Sequence, residues 1–323
     1  MNSWFDAASQ LGLERGVSFD VDFHTIPCHG DDALLEKHYV SKRSRRQKGM
    51  LAFLAQDADT RVFCYANANI RRDQQSDEIL QFVEFWKERT GRLPEELVFD
   101  SQLTTYANLN RLNQMNIPFI TLRRRSRKLL EAIANEPPSA WRRIKLTGVS
   151  RAYSTPKVLD RSITLKDYEG KLRQLTIADL GHESPTLLLT NQNRRSASKL
   201  VERYAKRMLI ENSIAEGIDF FHMDALSSTV AMKVDCDLQL TLMASSLYRL
   251  LGANVGNGYT TAKSSHIFRD FIDATAKVSI TNDSVLVRFG KRVHNPLLLA
   301  ADFAATDVPI PWWGNRRLRF AFG

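Results

Sequence analysis

The chain has 323 residues, of which 43% are hydrophobic, and 45 Lys and Arg against 36 Asp and Glu give a net charge of +9. This length suits one large domain or two modest ones, and a basic surface suits a polyanionic partner such as nucleic acid. Cys28, Cys64 and Cys236 are too sparse for a disulfide scaffold, so we expect a reduced, cytoplasmic protein. We expect no signal peptide and no membrane span.

The stretch from Gly16 to Pro27, GVSFDVDFHTIP, alternates apolar and polar residues and predicts a strand with one apolar face. The other face carries Asp20, Asp22 and His24, although strands are normally depleted in Asp. Two explanations stay open. This face is a solvent-exposed edge, or the strand delivers acids to a site.

The next elements predict a mixed α/β sheet. Beyond a basic run in residues 37–48, two apolar strands, MLAFLAQDA and RVFCYANANI, flank a hairpin turn at Asp59-Thr60. A helix from Asp73 to Thr90, the strand ELVFD, the helix SQLTTYANLNRLNQM and the strand IPFITLR come next. Three antiparallel strands followed by alternating helix and strand are typical of such a sheet.

The second half of the chain divides into three predicted segments. Residues 123–192 hold short β-like pieces and are interpreted as a β-rich insertion after the first part of the core, residues 1–122. Residues 193–252 are predicted to be helical and to complete the core. Two long helical stretches are expected from Ser196 on, SKLVERYAKRMLIENSIAEGI and DALSSTVAMKVDCDLQLTLMASSLYRLLG. Residues 253–323 contain a predicted hairpin with Asn282-Asp283 at its turn.

Two acids stand near the ends of predicted strands. Asp22 lies near the end of the first strand and Asp100 ends the fourth, which is its neighbour if the connections are ordinary. Two carboxylates at one sheet edge can hold a hard cation such as Mg²⁺. A third carboxylate, on a helix against that edge, would make room for two ions that serve phosphoryl transfer.

The stretch YAKRMLIEN supplies a candidate for the third carboxylate. Tyr204, Arg207 and Glu211 are spaced by three and four residues, on one helical face. Leu200 and Met208 share that stripe, so we expect Glu211 to turn inward, where a charge is costly unless it is paired or binds metal. Arg207 could bind a phosphate or neutralise Glu211, and Tyr204 could stack or hydrogen-bond.

These residues resemble the DDE transposases of bacterial insertion sequences. The resemblance runs from about Phe19 to about Leu251 and rests on VDFHTIP, LVFDSQLTTYANLNRLNQMNIPFITL and RYAKRMLIENSIAEGIDFF. The last stretch is similar to a subgroup signature of Tyr, Arg, Glu and Lys on one helix, although the expected Lys falls on Ile218. The resemblance implies an α/β fold, with a ribonuclease-H-like mixed sheet flanked by helices and a β-rich insertion before the catalytic Glu helix.

The resemblance also implies a chemistry. DNA would be cleaved at element ends and joined to target DNA, with Asp22, Asp100 and Glu211 as ligands to two Mg²⁺ or Mn²⁺ ions. Tyr204 and Arg207 would complete the catalytic set and hold the DNA near the cut. The partner would be double-stranded DNA, with a homodimer on DNA as a further expectation. Neither a membrane nor a small-molecule substrate is expected, and the location would be the bacterial cytoplasm and nucleoid.

The basic runs are the predicted DNA contacts. The residues are Lys42, Arg43, Arg45, Arg46, Lys48, Arg123, Arg124, Arg125, Lys128, Arg194 and Arg195. The run that begins at Arg123 comes directly after an apolar strand, which places it near the strand ends. Solvated loops are the alternative for both runs.

Several alternatives stay open at this point. Asp20 rivals Asp22 as first ligand because it shares the strand face; Asp22 could cap a strand, Asp100 could cap a helix, and Glu211 could simply pair with Arg207. The family usually has a helical DNA-end-binding domain before the first Asp, so the chain is expected to be N-terminally short. The alternative functions are a plain metal-dependent endonuclease and a non-catalytic, DNA-binding remnant.

Overall fold

The structure is a computed structural model that describes residues 2–13, 15–27, 36–40, 45–148, 154–181, 183–225 and 230–323. Its helices are α1 (Asn2–Gln10), α2 (Glu78–Thr90), α3 (Tyr106–Gln114), α4 (Arg127–Ala134), α5 (Ala197–Lys206), α6 (Met208–Asp219), α7 (Ala231–Val255), α8 (Ser264–Ile267) and α9 (Asn295–Ala300). Its strands are β1 (Ser18–Pro27), β2 (Glu36–Val40), β3 (Arg45–Asp57), β4 (Phe63–Ile70), β5 (Glu96–Val98), β6 (Phe119–Leu122), β7 (Arg142–Arg143), β8 (Lys157–Ile163), β9 (Leu172–Ala178), β10 (Thr186–Thr190), β11 (Ala276–Ile280), β12 (Ser284–Phe289), β13 (Asp307–Ile310) and β14 (Arg316–Phe322).

The chain divides into a first unit, residues 1–218 and 222–240, and a second unit, residues 219–221 and 241–323. The first unit is built on one sheet in the order β2–β3–β1–β5–β6–β10–β9–β8–β7, with β4 also paired to β3. Strand β1 is antiparallel to β3 and parallel to β5, because α2 carries the chain back between β4 and β5. The predicted mixed α/β sheet flanked by helices is confirmed, and its ribonuclease-H-like character stays a prediction.

The alternation in β1 decides which face of the sheet is apolar. Phe19 and Val21 are fully buried, and the Phe19 ring lies 4.5 Å from Trp86 and 5.1 Å from Phe82, measured between centroids. Both partners belong to the apolar stripe of α2. Since successive side chains of a strand point to opposite faces, Asp20, Asp22 and His24 face away from α2.

Strands β7 to β10 continue the main sheet beyond β6. β10 pairs antiparallel with β6, and β9, β8 and β7 are added in antiparallel order. Helix α4 lies in this segment and was not predicted, although Ser126 offers an N-cap signal and accepts a hydrogen bond from the Leu129 backbone N–H. The limits set for the insertion stay a prediction.

The prediction that the first helical stretch, SKLVERYAKRMLIENSIAEGI, forms one helix is wrong. Helix α5 ends at Lys206, Arg207 stands in a turn, and α6 begins at Met208. The break changes the expected stripe, because Leu200 is fully buried whereas Met208 is exposed. Arg207 therefore lies at a junction between two helices.

The second half of the first basic run lies on a strand rather than in a solvated loop. Strand β2 precedes it and β3 begins at Arg45, so Arg46 and Lys48 lie on a strand that pairs with β2. Lys42 and Arg43, which were predicted to contact DNA, lie outside the described residues, and only the backbone of Arg45 is described.

Helix α7 covers the backbone of strand β4. The Asp235 side chain accepts a hydrogen bond from the Ala68 N–H at 2.9 Å, and the Gln239 amide donates to the Ala66 carbonyl at 3.0 Å. These side chains stand in for a neighbouring strand and so protect the edge. Among the residues that the structure describes, no helix combines the length and apolar character needed to cross a membrane.

The second unit contains a four-stranded sheet in the order β11–β12–β14–β13. Strands β11 and β12 pair antiparallel on either side of the Asn282-Asp283 turn, as the alternation predicts. The unit has its own small core of Val255, Ile267, Phe271 and Leu298.

Candidate active site

Asp20, Asp22 and His24 on β1 each meet a partner from residues 203–224. Asp20 binds Arg203 at 2.7 Å, Asp22 binds Arg207 at 3.1 Å, and His24 Nε2 lies 2.7 Å from Asp224 Oδ1. Two residues of a strand advance by about 6.7 Å and four residues of a helix by about 6 Å. Because these distances agree, Arg203 and Arg207 fit opposite Asp20 and Asp22.

Asp20 lies inside a buried ion cluster. Its side chain is almost inaccessible, and Arg203 also donates to Glu96 Oε2 at 2.6 Å and to Ser18 Oγ at 3.1 Å. Burial raises the pKa of Asp20, an effect that Arg203 opposes. Burial alone would lower the pKa of Arg203, but Asp20 and Glu96 raise it above its ordinary value. The carboxylate of Asp20 thus holds α5 against β1.

Asp22 and Asp100 line the same open cleft, whose volume is about 400 Å³. Asp22 is 21% exposed at its side chain, and its Oδ1 accepts a hydrogen bond from the Phe23 N–H at 2.9 Å. Burial raises the pKa of Asp22, and the nearby Arg207 opposes the rise. The alternative of Asp22 as a mere strand cap does not account for its place beside Asp100.

Asp100 follows strand β5 with only Phe99 between them. Its carboxylate accepts a hydrogen bond from the Ser101 N–H. It does not cap helix α3, because that helix begins after Thr105, whose hydroxyl accepts from the Asn108 N–H at 3.3 Å. The N-cap alternative for Asp100 is therefore wrong. Its carboxylate is left facing the cleft.

Glu211 reaches the site through Arg207. The second terminal nitrogen of Arg207 donates to Glu211 Oε1 at 2.7 Å, and the Glu211 side chain is 48% exposed rather than turned fully inward. Among the described residues, no group of three His, Cys, Asp or Glu side chains is arranged to hold a metal ion. The carboxylates of Asp22 and Glu211 are instead bridged by one guanidinium.

Tyr204 packs beneath that guanidinium. The Arg207 Cζ lies 5.6 Å from the centroid of the Tyr204 ring, and burial raises the pKa of Tyr204 to about 12. Burial would lower the pKa of Arg207, but Tyr204, Asp22 and Glu211 raise it, so the guanidinium stays charged. The charge of Asp100 acts on both side chains as well.

Three cations share the cleft with the two acids. Lys37, Arg46 and Arg72 line it together with Gln75 and Gln102. Of these cations, only Arg46 was predicted as a DNA contact. Arg72 was not predicted, although the pair Arg71-Arg72 directly after β4 could have indicated it. Lys37 belongs to the basic run of residues 37–48 but was not among the predicted contacts.

The other predicted DNA contacts differ in how far protein side chains already occupy them. Arg123 donates to Gln174 Oε1 at 2.7 Å and Arg195 is ion-paired with Glu96, whereas Arg124, Arg125 and the remaining cations Lys128 and Arg194 are exposed. Arginines already bound to protein side chains have fewer donors for phosphates. The exposed ones therefore stay the stronger candidates.

Comparison with known proteins gives one strong match. The family model described as "Transposase DDE domain" matches residues 15–247. No curated protein matches the chain. Among solved structures, the cryo-EM structure of the piggyBac transposase synaptic complex with hairpin DNA is similar at 12% identity and a TM-score of 0.43. The alignment covers 84% of this chain and 59% of that one, and so loose a likeness adds nothing to the family match.

Proposed function

The chain belongs to the transposase DDE domain family, and on that premise we propose that it cleaves DNA at the ends of a mobile element and joins it to target DNA. One observation carries the proposal: Asp22 and Asp100, from neighbouring strands, line one cleft with Lys37, Arg46 and Arg72. Carboxylates beside a row of cations suit a phosphodiester, whose backbone the cations bind while the acids serve the reacting phosphate.

The chemistry of these carboxylates, rather than their present arrangement, suits a divalent cation. Carboxylate oxygens are the ligands that Mg²⁺ takes from proteins, usually one or two of them, with water and phosphate oxygens completing the shell. We propose Asp22, Asp100 and Glu211 as the ligands of two Mg²⁺ or Mn²⁺ ions. When bound, such ions supply an activated attacking oxygen and stabilise the leaving one. Glu211 has to exchange Arg207 for metal to take part.

The chain's own cations position the DNA. Arg207 is buried and its two terminal nitrogens bind Asp22 and Glu211, so its proposed contact with a phosphate beside the reacting bond requires Glu211 to release it. Lys37, Arg46 and Arg72 hold the neighbouring phosphates along the cleft. Since phosphate contacts carry no sequence information, these residues fix the register of the strand without reading its bases.

Cleavage assays test the proposal. Labelled duplexes from the DNA that flanks the gene are incubated with the full chain and Mg²⁺, and both nicked and joined products are measured. D22N and D100N are each expected to lower the cleavage rate by about a hundredfold or more, as for loss of a group that stabilises transition-state charge. E88Q, which neutralises an exposed carboxylate on α2, serves as the control. Cleavage by D100N at the wild-type rate would overturn the proposal.

The same assay separates the two alternative functions. Cutting without joining identifies a plain endonuclease. A non-catalytic remnant is favoured by one observation, the partly buried Ile218 where the signature Lys is expected, and it predicts DNA binding with no cut product at any Mg²⁺ or Mn²⁺ concentration. A homodimer on DNA stays a prediction, tested by the mass of the complex in solution.

A further inference from the structure

The sheet of the second unit separates apolar from cationic side chains by its register. Lys277 lies opposite Arg288 across β11 and β12, and Leu286, two residues from Arg288, lies opposite Arg319 on β14. Paired residues share a face of the sheet, and so do residues two apart in one strand. Lys277, Arg288, Arg317 and Arg319 therefore lie on one face, which we call the basic sheet face.

The opposite face is apolar by the same register. The pairs Val278–Val287 and Val285–Leu318 lie on it, together with Phe320 beside Val287. Val285 on this face is buried, whereas all four cations of the basic sheet face are exposed. Val278 and Ile280 on the apolar face are each more than half exposed, so only part of that face packs, while the other face offers charge to the solvent.

The charge of the basic sheet face is not balanced. Asp307 is its one carboxylate within the described strands, and it already binds Arg317 at 2.9 Å and Arg319 at 3.3 Å. Neither Lys277 nor Arg288 forms an ion pair with any residue that the structure describes. Like charges directly opposite each other destabilise a sheet. A bound polyanion would remove that repulsion.

The surrounding sequence has the same bias. The second unit holds ten Lys and Arg against six Asp and no Glu, a difference of +4 over residues 219–221 and 241–323. Four of the ten cations stand on the basic sheet face, and only one of the six carboxylates joins them. The positive charge is therefore concentrated on one surface.

Two exposed tryptophans lie just beyond strand β13 of the same sheet. Trp312 is 88% exposed and Trp313 is 41% exposed, and the Arg316 Cζ lies 5.4 Å from the Trp313 ring centroid. Large aromatic side chains are costly to leave in water, and beside arginines they are a common means of contacting nucleic acid. Arg316 lies two residues from Leu318 in β14 and therefore on the face opposite the basic sheet face, so this pair favours nucleic acid as a partner of the second unit without being part of the basic sheet face.

We propose that the basic sheet face binds the phosphate backbone of double-stranded DNA, as a contact additional to the cleft of Asp22 and Asp100. The choice of DNA over another polyanion rests on the proposed function. The charge pattern itself stands whether or not the chain cleaves DNA. The contact is independent of sequence, since lysine and arginine on a flat face reach phosphates rather than base edges.

Salt-dependent binding tests the proposal. Affinity of the full chain for a fluorescent duplex of arbitrary sequence, about 30 base pairs long, is measured across a range of NaCl concentrations. Each phosphate neutralised contributes about 0.9 to the slope of log affinity against log salt. K277Q/R288Q is therefore expected to flatten the slope by about 1.8 and to weaken binding severalfold at low salt.

The control variant carries the same change of net charge. K263Q/K291Q removes two exposed cations of the second unit that lie outside the four strands, and its slope should match the wild type. Equal flattening in both variants would show a general charge effect and overturn the proposal, as would an unchanged slope in K277Q/R288Q. Preferential binding of polyglutamate over the duplex would assign the face to an acidic protein and also overturn it. Thermal unfolding verifies that each variant is folded. If K277Q/R288Q does not fold, the single variant K277Q is measured in its place, with an expected flattening of about 0.9.

This outcome is separate from that of the proposed function. A chain that cleaves DNA while K277Q/R288Q keeps the wild-type slope overturns the basic sheet face and leaves the transposase proposal standing. A chain that never cleaves, but whose slope flattens in K277Q/R288Q and not in the control, overturns the transposase proposal and leaves the basic sheet face standing. Failure of the wild type to bind the duplex overturns both.

Discussion

Arg207 donates from Nη1 to Asp22 Oδ2 at 3.1 Å, from the junction of two helices to β1, an interior strand of the sheet. Its other terminal nitrogen donates to Glu211 at 2.7 Å. One guanidinium thus balances two carboxylates that would otherwise repel each other. A divalent cation bound by the same carboxylates would compete with it.

Replacing Arg207 should make the protein more dependent on metal. R207Q leaves Asp22 partly buried without its cation, and we expect the free energy of unfolding to fall on the order of 2 kcal/mol without divalent ions. Addition of Mn²⁺ should then raise the melting temperature of R207Q more than that of the wild type, because a ligand stabilises the state to which it binds. The double variant D22N/R207Q should lose the extra rise. Equal shifts in the wild type and R207Q would contradict the competition.

The buried cluster around Arg203 should be a major support of the fold. R203M leaves Asp20 and Glu96 without their shared cation, and removing one partner of a buried pair costs about 3–5 kcal/mol. Urea unfolding measures this loss. R127M, which breaks an exposed pair with Glu131, is the matched control and should cost below about 0.5 kcal/mol. A loss of similar size in both variants would mean that the cluster contributes no more than a surface pair.

Asp160 should stabilise the β8–β9 region in a pH-dependent way. It binds Arg173 through two hydrogen bonds of 2.9 and 2.7 Å, and this contact holds its pKa below the ordinary 3.8. A lowered folded-state pKa gives stability that is complete above pH 3.8 and is lost as the pH falls through the folded value. D160N should therefore cost about 1 kcal/mol at pH 7 and pH 5, and less below pH 3.8. Urea unfolding over this range measures it, and a cost that is the same at about pH 3 would show that charge plays no part.

The arginines after β6 should contribute unequally to DNA binding. Arg123 is engaged by Gln174, whereas Arg124 and Arg125 are exposed. R124Q/R125Q should flatten the salt dependence of binding by about 1.8, and adding R123Q should change it little further. Fluorescence anisotropy with a labelled duplex provides the slopes. A further flattening of about 0.9 in the triple variant would show that Arg123 leaves Gln174 to bind a phosphate.

The strand β1 and its apolar face could be predicted from the sequence alone. Alternation in GVSFDVDFHTIP specifies a strand with Phe19 and Val21 inward, because a strand's side chains alternate between faces. Asp100 follows the end of β5 as the apolar strand predicts, but the prediction that Asp22 lies near the end of the first strand is wrong, because β1 continues to Pro27. Asp22 still reaches the cleft with Asp100, because β5 pairs with β1 only as far as Asp20. Their roles as metal ligands, and that of Glu211, stay predictions.

Tertiary contacts decided what local patterns could not. Asp20 and Asp22 are equivalent in the alternation of β1, and only the placement of α5 buries Asp20 against Arg203 and leaves Asp22 beside the cleft. The end of α5 at Lys206, and the arrival of Lys37 and Arg72 at that cleft, likewise have no local signature. Each depends on strand register and helix packing between segments far apart in the chain, where burial and the pairing of charges select one arrangement among several that the sequence pattern allows.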